Sequence, residues 1–225
     1  IRPKDTYSIQ SALICIENTH NAGGGRVYPL STIQAIRAVA TAHGVPMHLD
    51  GARLFNAVVA SGVSAAEYAR HFETVTFCLS KGLGAPAGSL IATDDPNLLE
   101  RLRRFRRMYG GAMRQSGILA AAGLYALEHH IDRLSEDHAN AKRLAARLQK
   151  IPAVTIDPSL VETNMLFFDV HSTKLSTPAF VAALKQEGVL INAVGGSTCR
   201  AVTHLDVSAE AIEQAADHFA RVLTQ

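Results

Sequence analysis

Lys81 is the residue whose type and setting point most directly to chemistry. It follows an apolar run at residues 74–79 and precedes Gly82, Gly84, Pro86 and Gly88. A lysine amine forms Schiff bases with carbonyl compounds once its surroundings free the lone pair. The small residues beside it let a ligand ring or a phosphate reach the backbone. An ordinary loop lysine after a strand would look the same, and position alone leaves both readings open. Asp50 closes the preceding apolar run, residues 45–49. A carboxylate there can hold the protonated nitrogen of a heteroaromatic cofactor and make the ring an electron sink. It can equally cap a helix N-terminus. The two residues together, one strand–helix unit apart, say more than either alone.

The elements that must position them can be read from patterning. Residues 11–17 form a short apolar run of strand length, followed by polar sequence and Gly23–Gly25. Ser31 and Gln34 have capping-box spacing, and Gly44 and Pro46 stop the helix they announce after His43. Residues 45–49, 74–79 and 89–93 read as strands, and residues 56–70 as a helix between the first two. Strands apolar on both faces that alternate with helices predict a mostly parallel sheet covered by helices. Right-handed crossovers then put Asp50 and Lys81 on one sheet edge, where open α/β sheets bind ligands.

Past Pro96 the rhythm changes. Residues 98–109 read as an Arg-rich helix that Gly110 and Gly111 break, and residues 115–149 as a long, interrupted helical stretch. Strands at 164–170, 189–193 and 199–205 alternate with helices at 178–187 and 209–223. The expected organisation is an α/β large domain over residues 1–130 and a small α+β domain over 131–225.

Composition narrows the function classes. With 48% hydrophobic and 19% charged residues the chain can build a core and is not disordered. A net charge of +2 supplies no field for nucleic acid or an anionic membrane. Arginines 101, 103, 104, 106 and 107 lack interleaved aromatic stacking residues, so a solvated or subunit-facing helix is expected. No apolar run spans a bilayer. Cys15, Cys78 and Cys199 form no CxxC pair, so neither metal nor disulfide framework is expected, only buried free thiols in a cytoplasmic protein.

Longer motifs carry a resemblance. The segment His48-Leu49-Asp50-Gly51-Ala52-Arg53 resembles the Asp-bearing motif of the L-threonine aldolases of low-specificity type. The segment from Cys78 through Lys81 to Ser89 resembles their Schiff-base lysine motif. Glu17-Asn18-Thr19-His20-Asn21, Gly110-Gly111-Ala112-Met113-Arg114-Gln115 and Thr203-His204-Leu205-Asp206-Val207 match as well. The resemblance implies fold type I, the architecture of aspartate aminotransferase, with pyridoxal 5'-phosphate (PLP) as cofactor. It implies retro-aldol cleavage of L-threonine or L-allo-threonine to glycine and acetaldehyde, by a homodimer or homotetramer. Residue by residue it implies Lys81 as the Schiff-base lysine and Asp50 at the pyridinium nitrogen. Arg53 and Arg200 would hold the substrate carboxylate. His20 would stand near the β-hydroxyl, and Arg114 would bind cofactor phosphate across a subunit interface. Surface or ion-pair roles for the arginines, a structural His20 and a packed or hydrogen-bonded strand His204 stay open beside these.

The family has further sequence upstream, carrying its phosphate turn, a ring-stacking group and a carboxylate-binding serine. Residues 1–8 read as an internal cut. The chain is therefore expected to be a fragment that binds PLP weakly and self-associates through exposed apolar faces. Another fold type I enzyme, a β-eliminating lyase or an aminotransferase, would use the same Lys and Asp. A non-catalytic scaffold remnant would keep them idle.

Overall fold

A computed structural model of the chain describes residues 1–2, 6–7, 9–172 and 174–224, so positions 3–5 and 8 of the opening segment lie outside the described residues. The chain divides into two units. The first comprises Ile1–Thr19 and Val27–Ile131, the second His20–Arg26 and Asp132–Gln225.

In the first unit, β1 (Ile14–Glu17), β2 (Met47–Asp50) and β3 (Thr74–Cys78) run parallel, and β4 (Ser89–Ala92) closes the sheet antiparallel in the order β1-β2-β3-β4. Between the parallel strands come α1 (Leu30–Ala42), then α2 (Leu54–Ser61) and α3 (Ala65–Ala69). Ile16, Ile33, Met47, Leu49, Tyr68 and Val75 form the core between sheet and helices. Each such side chain, fully buried, contributes about 1.5–3 kcal/mol. Glu73 ties the layers together: its carboxylate accepts from the Met47 N–H at 2.6 Å and from Arg37 at 2.7 Å. The unit continues into α4 (Pro96–Met108) and α5 (Gly117–His129). Nothing on α4 is buried, and all five arginines of its run are exposed, as expected of a solvated or subunit-facing helix.

In the second unit the strands are antiparallel. These are β5 (Val154–Thr155), β6 (Met165–Val170), β7 (Asn192–Gly195) and β8 (Thr198–Val202), in the order β5-β6-β8-β7. The helices α6 (Leu134–Leu148), α7 (Thr177–Gln186) and α8 (Ala209–Thr224) bury Leu148, Phe180, Leu184 and Phe219 in a core with Leu166 and Phe168 of the sheet.

Several local expectations are corrected. The helix expected to be capped by Ser31 starts two residues earlier, at Leu30, because the Thr32 and Ile33 amides bond the Pro29 carbonyl at 3.0 and 3.1 Å. Ser31 therefore lies inside the first turn, and no side chain caps α1. The single helix expected over 56–70 is two: Gly62 takes φ 73° at the end of α2, and Ser64 caps α3 through the Glu67 amide. The expected interruption of the helical stretch 115–149 falls at 130–133, where the His130 ring bonds the Leu83 carbonyl at 2.6 Å. The strand expected at 189–193 begins at Asn192, since the Val189 amide is committed to the Leu184 carbonyl at the end of α7. His204 falls beyond β8, half exposed beside Asp206, and is not a strand residue. Cys199 is buried, and burial followed by the nearby Asp169 pushes its thiol up to about 11. Cys15 is exposed instead, since it points to the face opposite its buried neighbour Ile16.

Candidate active site

The register of the parallel strands brings Asp50 and the Lys81 segment to one edge. Glu17 pairs with Asp50 and Asp50 with Thr76, so β1 and β2 end together and β3 runs two residues further, to Cys78, before the Lys81 loop. Asp50 closes β2, its carbonyl held by the Asn18 amide at 3.0 Å. Its side chain is not the N-cap of α2, because that helix begins at Leu54 with Arg53 in the capping position. One carboxylate oxygen accepts from the Ala52 amide at 3.1 Å, and among the described residues Asp50 has no cationic partner.

Lys81 follows β3 after Leu79 and Ser80. The loop around it is bound to itself: the Gly84 amide bonds the Lys81 carbonyl at 2.8 Å, the Ala85 amide bonds Leu79, and the Leu79 amide bonds Gly88. Gly84 at φ 71° and Gly88 at φ 116° occupy left-handed backbone that a side chain would strain. Lys81 is exposed and, among the described residues, its side-chain amine has neither hydrogen-bond nor ion-pair partner. It is the only lysine between Lys4 and Lys142. An unpaired amine one strand from a carboxylate with no cationic partner among the described residues is a donor set that suits an aldehyde carbon and a protonated ring nitrogen on one planar cofactor. The residues present fit PLP.

Two further candidates lie in the first unit. Arg53, half buried, sits two residues beyond Gly51 at the start of α2. Arg114 lies between α4 and α5, in an open groove of about 490 Å3 lined also by Arg103, Arg106 and Arg107.

In the second unit, His20 opens a tight turn. Its amide bonds the Arg26 carbonyl at 3.1 Å, and its carbonyl accepts from Gly25 at 2.9 Å. A Cβ on Gly23 would stand 2.6 Å from His20 Nδ1, so a glycine there leaves room for the imidazole. Arg200 on β8 reaches this turn: its Nη1 donates to Asn21 Oδ1 at 3.1 Å, while its buried Nε has no partner. A guanidinium with an unpaired buried N–H fits an anionic ligand, because leaving that donor empty is costly.

The family model for beta-eliminating lyases matches residues 1–171. The chain belongs to the beta-eliminating lyase family. Over its full length it is 41% identical to the low specificity L-threonine aldolase of Escherichia coli strain K12, and it spans 64% of that protein. It is 38% identical over 204 residues to low-specificity L-threonine aldolase 1 of Arabidopsis thaliana, covering 90% of this chain and 57% of that one. Among solved structures, the threonine aldolase of Leishmania major superposes with a TM-score of 0.76 at 19% identity, over 98% of this chain and 64% of that one. A PLP-dependent aminotransferase from Streptococcus suis superposes with a TM-score of 0.71 at 17% identity, over 95% and 57%. The fold of this beta-eliminating lyase family member is therefore fold type I, an α/β architecture with a mixed, mostly parallel sheet.

Patterning did not single out Gly51 within this family member. Its amide bonds the Thr76 carbonyl at 2.8 Å, and an added Cβ would stand 2.6 Å from that same oxygen. Backbone cannot move aside as a flexible side chain can. Gly51→Ala is expected to cost about 1–3 kcal/mol, the range for overpacking, and to displace Asp50 from the strand edge. Urea unfolding checks this; an unchanged midpoint would show that β2 and β3 have room to part.

Proposed function

We propose that this chain carries the lysine-bearing part of a PLP-dependent aldehyde-lyase that cleaves L-threonine and L-allo-threonine to glycine and acetaldehyde. The observation that carries the reading is the pairing of Asp50 and Lys81 on one edge of parallel strands, each without a neutralising partner among the described residues. The identity to the Escherichia coli aldolase along the whole chain supports it.

When bound, PLP supplies an aldehyde for the amine and an electron sink for charge that develops at Cα. Lys81 Nζ would hold the cofactor through its aldehyde. The Asp50 carboxylate keeps the ring nitrogen protonated by charge. Arg53 and Arg200 bind the substrate carboxylate as guanidinium forks. That grip turns the Cα–Cβ bond to the orientation in which its electron pair can leave. His20 accepts the β-hydroxyl proton as that oxygen becomes the aldehyde oxygen of acetaldehyde. The electron pair of the broken bond stays with Cα, which takes up a proton from water to give glycine, and His20 returns its proton to water. Arg114 supplies charge to cofactor phosphate from a neighbouring subunit. Exposed Ile91, Met108, Ile118, Leu124 and Tyr125 of the first unit support assembly as a homodimer or homotetramer. A cytoplasmic location is part of the proposal; among the described residues, no helix is long and apolar enough to cross a membrane.

The test is product analysis with PLP and L-threonine. Equimolar glycine and acetaldehyde are expected. A keto acid with ammonia would mark an eliminating lyase, a keto acid with aminated cofactor an aminotransferase, and neither product a scaffold.

A further inference from the structure

Arg200 is held in a way that its proposed role as carboxylate anchor does not by itself require. The Asn21 amide oxygen binds one terminal nitrogen, Nη1, at 3.1 Å, across 179 residues of sequence. Nε is buried and unpartnered. Across the sheet Arg200 stands opposite Phe167 on one side and Asn192 on the other, so directly paired positions place no acid beside it. Among the described residues no carboxylate pairs with it. Glu162 is taken by Arg26 at 3.2 Å, and Asp169 by Ser197 and Thr198.

The turn that carries Asn21 is itself fixed. The Asn21 carbonyl accepts from the Gly24 amide at 3.2 Å, and Thr163 Oγ1 donates to the Gly25 carbonyl at 2.6 Å. Gly24 and Gly25 have φ of 84° and 72°, and a Cβ on Gly25 would stand 2.7 Å from Thr163 Oγ1 and 2.9 Å from Met165 Cβ. Asn21 is thus presented to β8 by backbone bonds and close packing.

We propose that Asn21 is a positioning residue for Arg200, orienting the guanidinium through Nη1 while leaving its charge and its Nε edge to an incoming amino-acid carboxylate. The proposal rests on the reading of Arg200 as the carboxylate anchor. An acidic partner would hold the guanidinium as firmly, but it would neutralise it and compete with the ligand. A neutral amide oxygen fixes the plane and adds no negative charge. With Nη1 occupied, the Nε–Nη2 edge is the fork that meets a carboxylate side-on with two parallel bonds.

The test is calorimetric binding of glycine, and of ethanolamine as its carboxylate-free counterpart, to the cofactor-loaded protein and its variants. Asn21→Asp, nearly isosteric, is expected to weaken glycine by about 10- to 100-fold, the range for losing a charge-assisted hydrogen bond, and to leave ethanolamine unchanged. Asn21→Ala is expected to weaken glycine less, and to have no further effect once Arg200→Ala is present, as coupled residues require. If Arg200→Ala weakens glycine but both Asn21 variants bind it like the parent, the positioning role is wrong and the anchor stands. If the Asn21 variants weaken glycine and ethanolamine alike, their effect is general disruption and the proposal is overturned. If Arg200→Ala binds glycine normally, the anchor reading falls, and the proposal with it.

Discussion

In Lys81→Ala, borohydride is expected no longer to fix PLP to the chain, and the L-threonine cleavage proposed above is expected to fall by about 10²- to 10⁴-fold, the range for losing a positioned catalytic group. On the proposed reading, the substitution removes the amine that would hold the cofactor. The fold has no reason to suffer, since Lys81 is exposed and its loop is held by the backbone bonds of Leu79, Gly84 and Ala85. Peptide mapping after reduction reads the result directly. The next lysines along the chain are Lys4 and Lys142, so a tagged Lys81 peptide is unambiguous. A reducible linkage that survives in Lys81→Ala on another lysine would refute the assignment.

Asp50→Asn should fold like the parent and lose roughly 10- to 1000-fold in activity, the equivalent of the one to three pKa units that an adjacent opposite charge contributes. The amide keeps the volume, and its oxygen can still accept from the Ala52 amide, so the turn into α2 survives. What it cannot do is hold a proton on the pyridine nitrogen by charge. The check pairs a thermal melt with steady-state kinetics. An Asp50→Asn protein that melts normally and turns over at near the parent rate would leave the carboxylate only its hydrogen bond to Ala52.

Lys81 and Asp50 were legible because their placement follows from local rules. Apolar runs of strand length, with a helical segment between them, form parallel neighbours, and right-handed crossovers send their ends to one edge. The register of Asp50 with Thr76 has that arrangement. The roles of Arg53, Arg200, His20 and Arg114 came from motif resemblance, since nothing in their immediate neighbourhoods distinguishes a ligand-binding arginine from a solvated one. Where the local signal was ambiguous, it misplaced details. Ser31 and Gln34 have the spacing of a cap, yet the Pro29 carbonyl starts the helix. An Ala- and Val-rich run looked continuous although Gly62 ends one helix within it.

Patterning by itself determined the α/β class and the edge that carries the lysine and the carboxylate, because strand and helix periodicity are encoded in windows of a few residues, while fold type I came with the motif resemblance. Tertiary structure alone decided which distant groups meet. No window of sequence contains both Asn21 and Arg200, both Gly51 and the Thr76 carbonyl, or both Gly25 and Thr163. Their contacts exist only once the sheet registers are set. The turn at His20–Arg26 lies early in the chain yet belongs with the second unit, because its backbone packs against Thr163 and Met165 of that unit.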